Sequence, residues 1–429
     1  SQPQQWLFRI TGSPENLVMA GPLVPFEITL SGGEINYTPG KERSTGVGVE
    51  FLDGSFVASH QAKGIIAEEY ASVQIDGSMG QATIDWLSTI LPLPPHLQMK
   101  PPVDVSGFNM SWNDAGSYDL KGRLRTAGGI DVYADFSATP QDWHFRQVEF
   151  DDGSSKATVS VRKHPNGFEI GFSGNVEKIT ADRLLENNQF VSGRLEGDFH
   201  TVIHTRRPIQ SSFSGKLTGE GCHFLHIFSE PIDLRRFSIE GNDSRLTIAP
   251  SEVSLCSSSL VVDGTLDSSG GGLIYDLTID ADRLDEELIR VLQPVDADGA
   301  TVTKNPESVS APAPRGTVHV QATEFTYGGF NWSQVRADVG IDGSRTDVHI
   351  HQANLCGIST TGELAFSPVG LGFHITPAAT DASFEDTFSC LYDRQVKSDA
   401  RYDLTGEINL PTTLKDPVQA MSGQVAVSY

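Results

Sequence analysis

Apolar and polar residues alternate at period two through almost the whole sequence, and this pattern constrains the fold more than any other feature. Val318, Val320 and Ala322, for example, alternate with polar residues. The pattern recurs at 157–161, 168–173, 245–249, 273–279, 335–341 and 404–410. Such alternation is typical of strands with one buried and one solvated face. Because 42 Gly and 23 Pro residues supply frequent turns, the sequence predicts an all-β fold and disfavours a helical bundle.

Helical periodicity is confined to short segments. It is clearest in Asp285–Leu292 and weaker in Ile84–Leu91 and Leu184–Asn188. We expect these few short helices to cap or connect strands, since none is long enough to form a helical layer.

The sequence also resembles itself at an offset of 100 residues. Ala181–Leu184 recurs as Ala281–Leu284, and Leu255-Cys256 recurs as Leu355-Cys356. Weaker copies of the first segment lie at Ile84–Leu87 and Asp381–Phe384. We infer about four repeat units of roughly 100 residues each, stacked so that neighbouring units share one continuous core.

Two proline-rich stretches interrupt the alternation without marking domain boundaries. We predict a β repeat unit ending in a proline-rich connector at 1–102, further β repeats at 103–293, a flexible loop at 294–316 and a C-terminal β repeat at 317–429. The alternating pattern resumes after each interruption, so the four parts are expected to form one continuous sheet.

Charge and hydropathy exclude two classes of protein. The 31 basic and 55 acidic residues give a net charge of −24, which repels nucleic-acid phosphates and anionic lipid surfaces. No stretch approaches the ~18–20 consecutive apolar residues of a membrane-spanning helix, and the first residues lack a signal-peptide pattern. The chain stops inside an alternating run, Gln424–Tyr429, so we expect a processed piece whose membrane anchor lies outside it.

Several turns and strand openings are similar to those of AsmA-like proteins. Four segments resemble the C-terminal region of that family: Leu355–Gly357, Cys390-Leu391, Leu404–Glu407 and Met421–Val425. The repeats that precede this region in long members are resembled by Pro92–Pro94, Ala157–Val159 and Gly193–Asp198. The resemblance covers nearly the whole chain.

The resemblance implies a periplasmic protein of a Gram-negative bacterium, anchored in the inner membrane. Its sheet would curl into an elongated, U-shaped groove with an apolar lining. Relatives of TamB and YhdP in this group are thought to carry phospholipid between the inner and outer membranes along such a groove. The implied ligand is the phospholipid acyl chain, with no cofactor and no nucleic acid. The implied function is bridge-like lipid transfer without catalysis.

Alternation alone selects the side chains expected to line such a groove. Burying each acyl methylene against an apolar lining gains ~0.8 kcal/mol, so no specific polar contact is needed. The predicted lining residues are Phe168, Ile170, Phe172, Ile274, Leu277, Ile279, Val318, Val320, Phe325, Val335, Leu364 and Phe366. A register shift of one residue would move any of them to the opposite face.

The periplasmic context implied by the resemblance favours disulfides among the four cysteines. Cys222 and Cys256 are 34 residues apart, as are Cys356 and Cys390, and we predict these two local pairs. Four cysteines allow three pairings, and buried thiols are the alternative.

Motifs for catalysis or metal binding are missing from the sequence. It has no Gly-x-Ser-x-Gly elbow, His-Glu-x-x-His or Walker loop. The acidic pair Asp151-Asp152 is interpreted as solvated, and so are His349 and His351, which share one face of a predicted strand. We therefore expect neither an enzyme nor a metal site.

A second interpretation belongs to a different class of protein. A structural or adhesive extracellular β-solenoid or sandwich array would have a filled interior, and it could bind glycans on the aromatic side chains of Trp112, Trp143 and Trp332. An apolar face without tight packing favours lipid transfer, whereas a filled core favours this alternative.

Overall fold

The structure is a computed structural model. It describes residues 10–21, 24–38, 40–63, 70–90, 98–204, 210–224, 232–256, 258–269, 272–287, 315–343, 345–367, 370–392, 394–413 and 422–429. Most of the predicted loop at 294–316 lies outside these residues, and so do positions 91–97 of the proline-rich connector. Within the described residues, no helix is both long and apolar enough to cross a membrane.

The predicted all-β fold is confirmed. The described residues form 26 strands of one open, mostly antiparallel sheet, together with three short helices. The chain divides into two compact units, Ser1–Val202 and Ile203–Tyr429. The divisions predicted at 102, 293 and 316 stay predictions.

In the first unit, the strands pair mostly antiparallel with their neighbours in sequence. They are β1 (Ile10–Gly12), β2 (Leu17–Gly21), β3 (Val24–Ser31), β4 (Glu34–Thr38), β5 (Lys41–Phe51), β6 (Gly54–Lys63), β7 (Tyr70–Met79), β8 (Val103–Trp112), β9 (Tyr118–Arg125), β10 (Asp131–Ala138), β11 (Trp143–Asp151), β12 (Lys156–His164), β13 (Gly167–Glu177) and β14 (Val191–His204). From β5 to β13 each strand pairs antiparallel with the next in sequence.

The second unit continues the same pattern. Its strands are β15 (Ser212–Phe224), β16 (Ile232–Asp243), β17 (Arg245–Leu255), β18 (Ser258–Asp267), β19 (Ile274–Asp285), β20 (Arg315–Tyr327), β21 (Phe330–Asp342), β22 (Arg345–Leu355), β23 (Ile358–Ser367), β24 (Gly370–Ser383), β25 (Arg401–Thr413) and β26 (Ser422–Ser428). Every alternating run identified in the sequence lies within one of these strands or overlaps it.

One strand pair departs from the predicted antiparallel pattern. Strands β19 and β20 pair in parallel, with Ile274 opposite Arg315 and Leu277 opposite Val318. Parallel neighbours need a crossover connection of a dozen or more residues, whereas a hairpin turn can join only antiparallel strands. The chain from 286 to 314 is long enough to supply that crossover.

Three short helices follow the last strand of a repeat. They are α1 (Gln81–Ile90), α2 (Lys178–Leu184) and α3 (Phe384–Tyr392). The prediction for α1 is confirmed, but the helix expected at Leu184–Asn188 was placed too late, since α2 ends at Leu184. Helix α3 coincides only at Phe384 with the weak repeat copy at Asp381–Phe384. The segment Asp285–Leu292 is described only as far as Glu287, with Glu286 and Glu287 helical.

Each of these helices packs on a hairpin turn two strands earlier in the chain. The carboxylate of Asp53, in the β5–β6 turn, accepts hydrogen bonds from the backbone N–H groups of Ala82 and Thr83, both 2.9 Å, at the start of α1. In the β11–β12 turn, Asp152 accepts a hydrogen bond from Thr180 Oγ1 (3.1 Å) in α2. The Asp53 contacts cap α1 and satisfy donors that a helix N-terminus otherwise leaves unpaired. Asp152 instead binds a side chain of α2, whose N-cap residue Glu177 makes no side-chain capping hydrogen bond.

The third junction uses different chemistry at the same place. In the β22–β23 turn, Cys356 is joined by a disulfide to Cys390 of α3, and its carbonyl accepts a hydrogen bond of 2.9 Å from Thr387. The three junction turns lie at Asp53, Asp152 and Cys356, which are 99 and 204 residues apart, or about one and two periods of the 100-residue repeat. These spacings fit the repeat unit inferred from the sequence.

Candidate functional site

The second unit presents a continuous apolar row across seven adjacent strands. Directly opposed residues of β19 to β25 share one face of the sheet. The row consists of Leu277, Val318, Val339, Val348, Leu364, Phe373 and Leu410. Three predicted lining residues therefore lie together: Leu277, Val318 and Leu364.

A second row runs parallel to the first, two residues along each strand. It consists of Ile279, Val320, Ala337, Ile350, Gly362, Ile375 and Ile408. We call the two rows together the apolar face of the second unit. Ile279 and Val320 were predicted to line the groove, and Phe366 lies on this face two residues beyond Leu364.

Ile274 requires a correction. Alternation along β19 places it on the opposite face from Leu277 and Ile279, beside Asp276. It is three residues from Leu277, and residues an odd number apart on a regular strand point to opposite faces. Ile274 therefore does not belong with the other predicted lining residues of this strand.

Burial decreases along the apolar face from one strand end to the other. Near the ends of β19 and β20, Leu284 and Ala322 are buried in a cluster with Leu255 and Leu260, against which Phe325 packs. Leu284 and Phe325 join this face because two exposed residues in succession, at 282–283 and at 323–324, break the alternation just before them. The other predicted lining residues in contact with this cluster are Ile279, Val320 and Val335. In the first row, by contrast, the side chains of Leu277, Val318, Val339, Val348, Leu364 and Phe373 are only half-buried. At the far end of β23, Phe366 is 42% exposed.

The first unit has a comparable face on β9 to β13. One row consists of Leu120, Phe136, Phe145, Val161 and Ile170. The predicted residues Phe168, Ile170 and Phe172 lie on one face of β13, with relative exposures of 36%, 36% and 8%. Phe172 is the member nearest to α2, so burial again decreases with distance from the helix end of the strand.

Several members of these rows were not selected from the sequence. Val339 and Phe373 sit in alternating runs, and the alternation itself could have identified them. Assigning faces beyond short runs fails because β-bulges interrupt the strands, for example between Ile350 and Ala353 of β22. A bulge adds one residue and so reverses the faces that follow.

The opposite face carries charged side chains in cross-strand pairs. In the first unit, the Arg146 guanidinium lies 2.7 Å from Asp119 Oδ1, and its Nε donates a hydrogen bond of 2.7 Å to Asp135. The hydrogen bond with Asp119 is the main cause that raises the pKa of Arg146. The sheet is therefore amphipathic, with an apolar face and a charged face.

Of the two disulfides predicted from the sequence, the structure contains one. The Cys356–Cys390 disulfide is confirmed, with a Cα–Cα distance of 5.6 Å. The predicted Cys222–Cys256 disulfide is wrong, since both residues are thiols. Cys222 of β15 lies opposite Leu234 of β16, which lies opposite Val253 of β17. Because β16 separates the two strands and Cys256 lies three residues beyond Val253, the cysteines are more than two strand spacings apart, over about 10 Å, which is beyond the reach of a disulfide.

The 100-residue repeat explains why the equal spacing of 34 misled the prediction. Cys256 occupies the turn position that Cys356 occupies one repeat later. The position 100 residues before Cys390 is Arg290, so the earlier turn has no matching cysteine. Burial raises the pKa of the Cys222 thiol to about 11.

The remaining candidates from the sequence are metal-ligating side chains and three tryptophans. Within the described part of the chain, no group of three or more His, Cys, Asp or Glu residues is arranged to hold a metal ion. His223 contacts Asp233 at 2.5 Å across β15 and β16. The three tryptophans proposed as glycan platforms are half-buried, and Trp143 packs edge-on against Phe145 of the apolar row, at 5.8 Å between ring centres.

No protein-family model, curated protein or solved structure matches the chain.

Proposed function

We propose that this chain is the periplasmic part of an inner-membrane-anchored, bridge-like lipid-transfer protein of the AsmA-like kind. Phospholipid acyl chains would lie on the apolar face, while headgroups stay in water. The sheet would curl into a U-shaped groove so that its apolar faces look inward. The observation that carries the proposal is the continuous row from Leu277 to Leu410, which crosses seven strands and stays half-buried over six of them.

Elementary energetics make this face suitable for acyl chains. An incompletely covered apolar side chain gains free energy when any hydrocarbon covers it, at ~25 cal/mol per Å². Successive strands are ~4.8 Å apart, so seven strands offer an unbroken apolar row of nearly 30 Å. Such a row binds methylenes without requiring a fixed register, which suits a ligand that moves along it.

The alternative is a structural or adhesive β array. The buried cluster of Leu255, Leu260, Leu284 and Ala322 favours it locally, because these side chains pack as a filled core does. The two proposals therefore differ over the half-buried rows: lipid transfer requires them to be reachable by acyl chains, and a structural array requires them to be filled.

Face-specific crosslinking tests the proposal without disturbing the fold. A photoreactive amino acid would replace Leu364, in the apolar row, or Ala365, its neighbour on the opposite face of β23. After expression in a Gram-negative periplasm and irradiation, we expect phospholipid adducts at position 364 and few or none at 365, measured by mass spectrometry. Equal labelling at both positions, or none at either in a folded protein, would contradict lipid binding on this face.

A further inference from the structure

Histidines and carboxylates alternate in one row on the charged face of the second unit. Across β19 to β25 the directly opposed residues are Thr278, His319, Asp338, His349, Glu363, His374 and Asn409. Each of these residues follows or precedes by one position a member of the first apolar row. The histidine row therefore lies directly behind the apolar face.

Hydrogen bonds join the row from strand to strand. His319 Nδ1 lies 2.6 Å from Asp338 Oδ1, and His351 Nε2 lies 2.8 Å from the other oxygen of the same carboxylate. His349 Nδ1 lies 3.4 Å from Glu363. A single carboxylate thus bridges imidazoles on the strands either side of it.

The row continues onto the last strands of the unit. His374 Nδ1 of β24 lies 2.5 Å from Asn409 Oδ1 and 3.6 Å from Glu407, both on β25. At the other end, His319 Nε2 lies 3.4 Å from Asp276 of β19. Every strand from β19 to β25 therefore contributes at least one group to these contacts, which form one set over β19 to β23 and a second between β24 and β25.

The charged groups that face these imidazoles are mostly acidic. They are Asp276 and Asp280 from β19, Arg336 and Asp338 from β21, Asp347 from β22, Glu363 from β23 and Glu407 from β25. Arg345 of β22 pairs with Asp347 at 2.8 Å. At His319, which Asp338 and Asp276 both approach, these carboxylates favour the protonated imidazolium over the neutral ring and raise its pKa.

We propose that this row makes strand pairing behind the apolar face dependent on pH, so that the second unit is held together more firmly at pH 6 than at pH 8. A protonated imidazole donates a charge-assisted hydrogen bond to its carboxylate, which is stronger than the neutral one. The inference concerns the sheet itself and holds whether or not lipid binds.

The direction follows from the groups at the centre of the row. Hydrogen bonding to Asp338 is the main cause that raises the pKa of His319. The stabilisation that His319 gives to the folded unit is therefore complete below the ordinary histidine pKa and is lost as pH rises through the raised value. The pKa of Asp338 is lowered, first by its hydrogen bond with His351 and then by that with His319. The stabilisation that Asp338 gives persists down to about pH 4, so the strands of this row should be held together most firmly between about pH 4 and pH 6.5.

Neutral isosteres test the proposal. Asn can replace a histidine that bonds through Nδ1, and Gln one that bonds through Nε2, without a titrating group. We compare the full chain with the variant H319N/H349N/H351Q/H374N and with the control H144N. His144 lies on β11 of the first unit and has no carboxylate partner among the described residues.

We expect the apparent thermal midpoint of the natural chain to rise by roughly 3–6 °C from pH 8 to pH 6. The fourfold variant should lose most of that rise, and H144N should keep it. An unchanged pH dependence in a folded fourfold variant would overturn the proposal.

Hydrogen exchange on the natural chain keeps the test decisive if the variant fails to fold. After correction for intrinsic exchange rates, amides of β20 to β24 should be several-fold better protected at pH 6 than at pH 8, whereas those of β9 to β12 should not change. Equal protection of β20 to β24 at both pH values would also overturn the proposal.

Discussion

At the scale of single residues, the carboxylate of Asp152 is the most consequential charge in the first unit. Its side chain is 2% exposed, so the expectation that the Asp151-Asp152 pair is solvated is wrong for Asp152, which receives Arg183 Nη1 at 2.8 Å. Burial alone would raise its pKa, but hydrogen bonds from the backbone of Ser155 and Ser154 and from Thr180, together with Arg183, outweigh burial and lower it. The ionised form is therefore the one that the fold requires.

Replacement of Asp152 should destabilise the first unit strongly. We expect Asp152→Ala to lower the free energy of unfolding by about 2–4 kcal/mol, because it leaves buried donors and the Nη1 group of Arg183 without their acceptor. The matched control is Asp151→Ala, whose exposed ion pair with Lys156 at 3.4 Å should contribute under about 1 kcal/mol. Urea unfolding measures both, and equal losses would contradict the assignment.

The same carboxylate predicts that the stability of the first unit falls at acid pH. Since its folded pKa is lowered, its contribution is present above about pH 4 and is lost as pH falls through the lowered value. Asp152→Asn should therefore lose less stability between pH 4 and pH 2 than the natural chain does. Unfolding midpoints across that range test this, and parallel curves would argue against it.

A glycine in β23 allows two backbones to approach closely. Gly362 has φ +149°, and a Cβ there would lie 2.2 Å from the carbonyl oxygen of His374. We expect Gly362→Ala to cost about 2 kcal/mol or more, because backbone atoms must move. Gly340→Ala is the control, since its Cβ would meet nothing closer than 3.7 Å. Chemical unfolding should separate the two, and a similar cost for both would contradict the close approach.

At the scale of elements, the sequence predicted strands far better than helices. Alternation is a local property, so runs such as 318–322 identify β20 and its faces directly. Helix α2 starts where Asp152, from a turn two strands earlier, hydrogen-bonds to its first turn, and no local pattern reveals that contact. The parallel pairing of β19 with β20 and the absence of a Cys222–Cys256 bond likewise depend on which strands become neighbours.

The disulfide between the β22–β23 turn and α3 should stabilise the last repeat. Reduction, or Cys390→Ser, should lower the free energy of unfolding by about 2–4 kcal/mol, because the unfolded chain gains freedom. Cys256→Ser is the control and should change little, and its stability should still respond to reductant. Peptide mapping without reductant should recover one linked pair, Cys356 with Cys390. A reductant-insensitive natural chain would contradict a stabilising role.

At the scale of the whole molecule, charge and the proposed apolar face act in opposite directions on membranes. The apolar face attracts acyl chains, whereas a net charge of −24 repels anionic bilayers at a distance. Repulsion between the chain and a vesicle extends over the Debye length, about 30 Å at 0.01 M salt and about 10 Å at 0.1 M. The proposed function therefore predicts a dependence on lipid charge that salt suppresses.

Transfer of a labelled phospholipid between vesicles measures this dependence. With the full chain at low salt, we expect transfer from zwitterionic donor vesicles to be several-fold faster than from vesicles containing anionic lipid, with the ratio approaching one as salt is raised. Leu364→Asp places a carboxylate in the apolar row and should slow transfer from both, whereas Ala365→Asp on the opposite face should not. Faster transfer from anionic vesicles would mean that a local basic surface, and not the net charge, governs the approach of the chain to a vesicle. Equal transfer rates for Leu364→Asp and Ala365→Asp would show that lipid does not move along the apolar row.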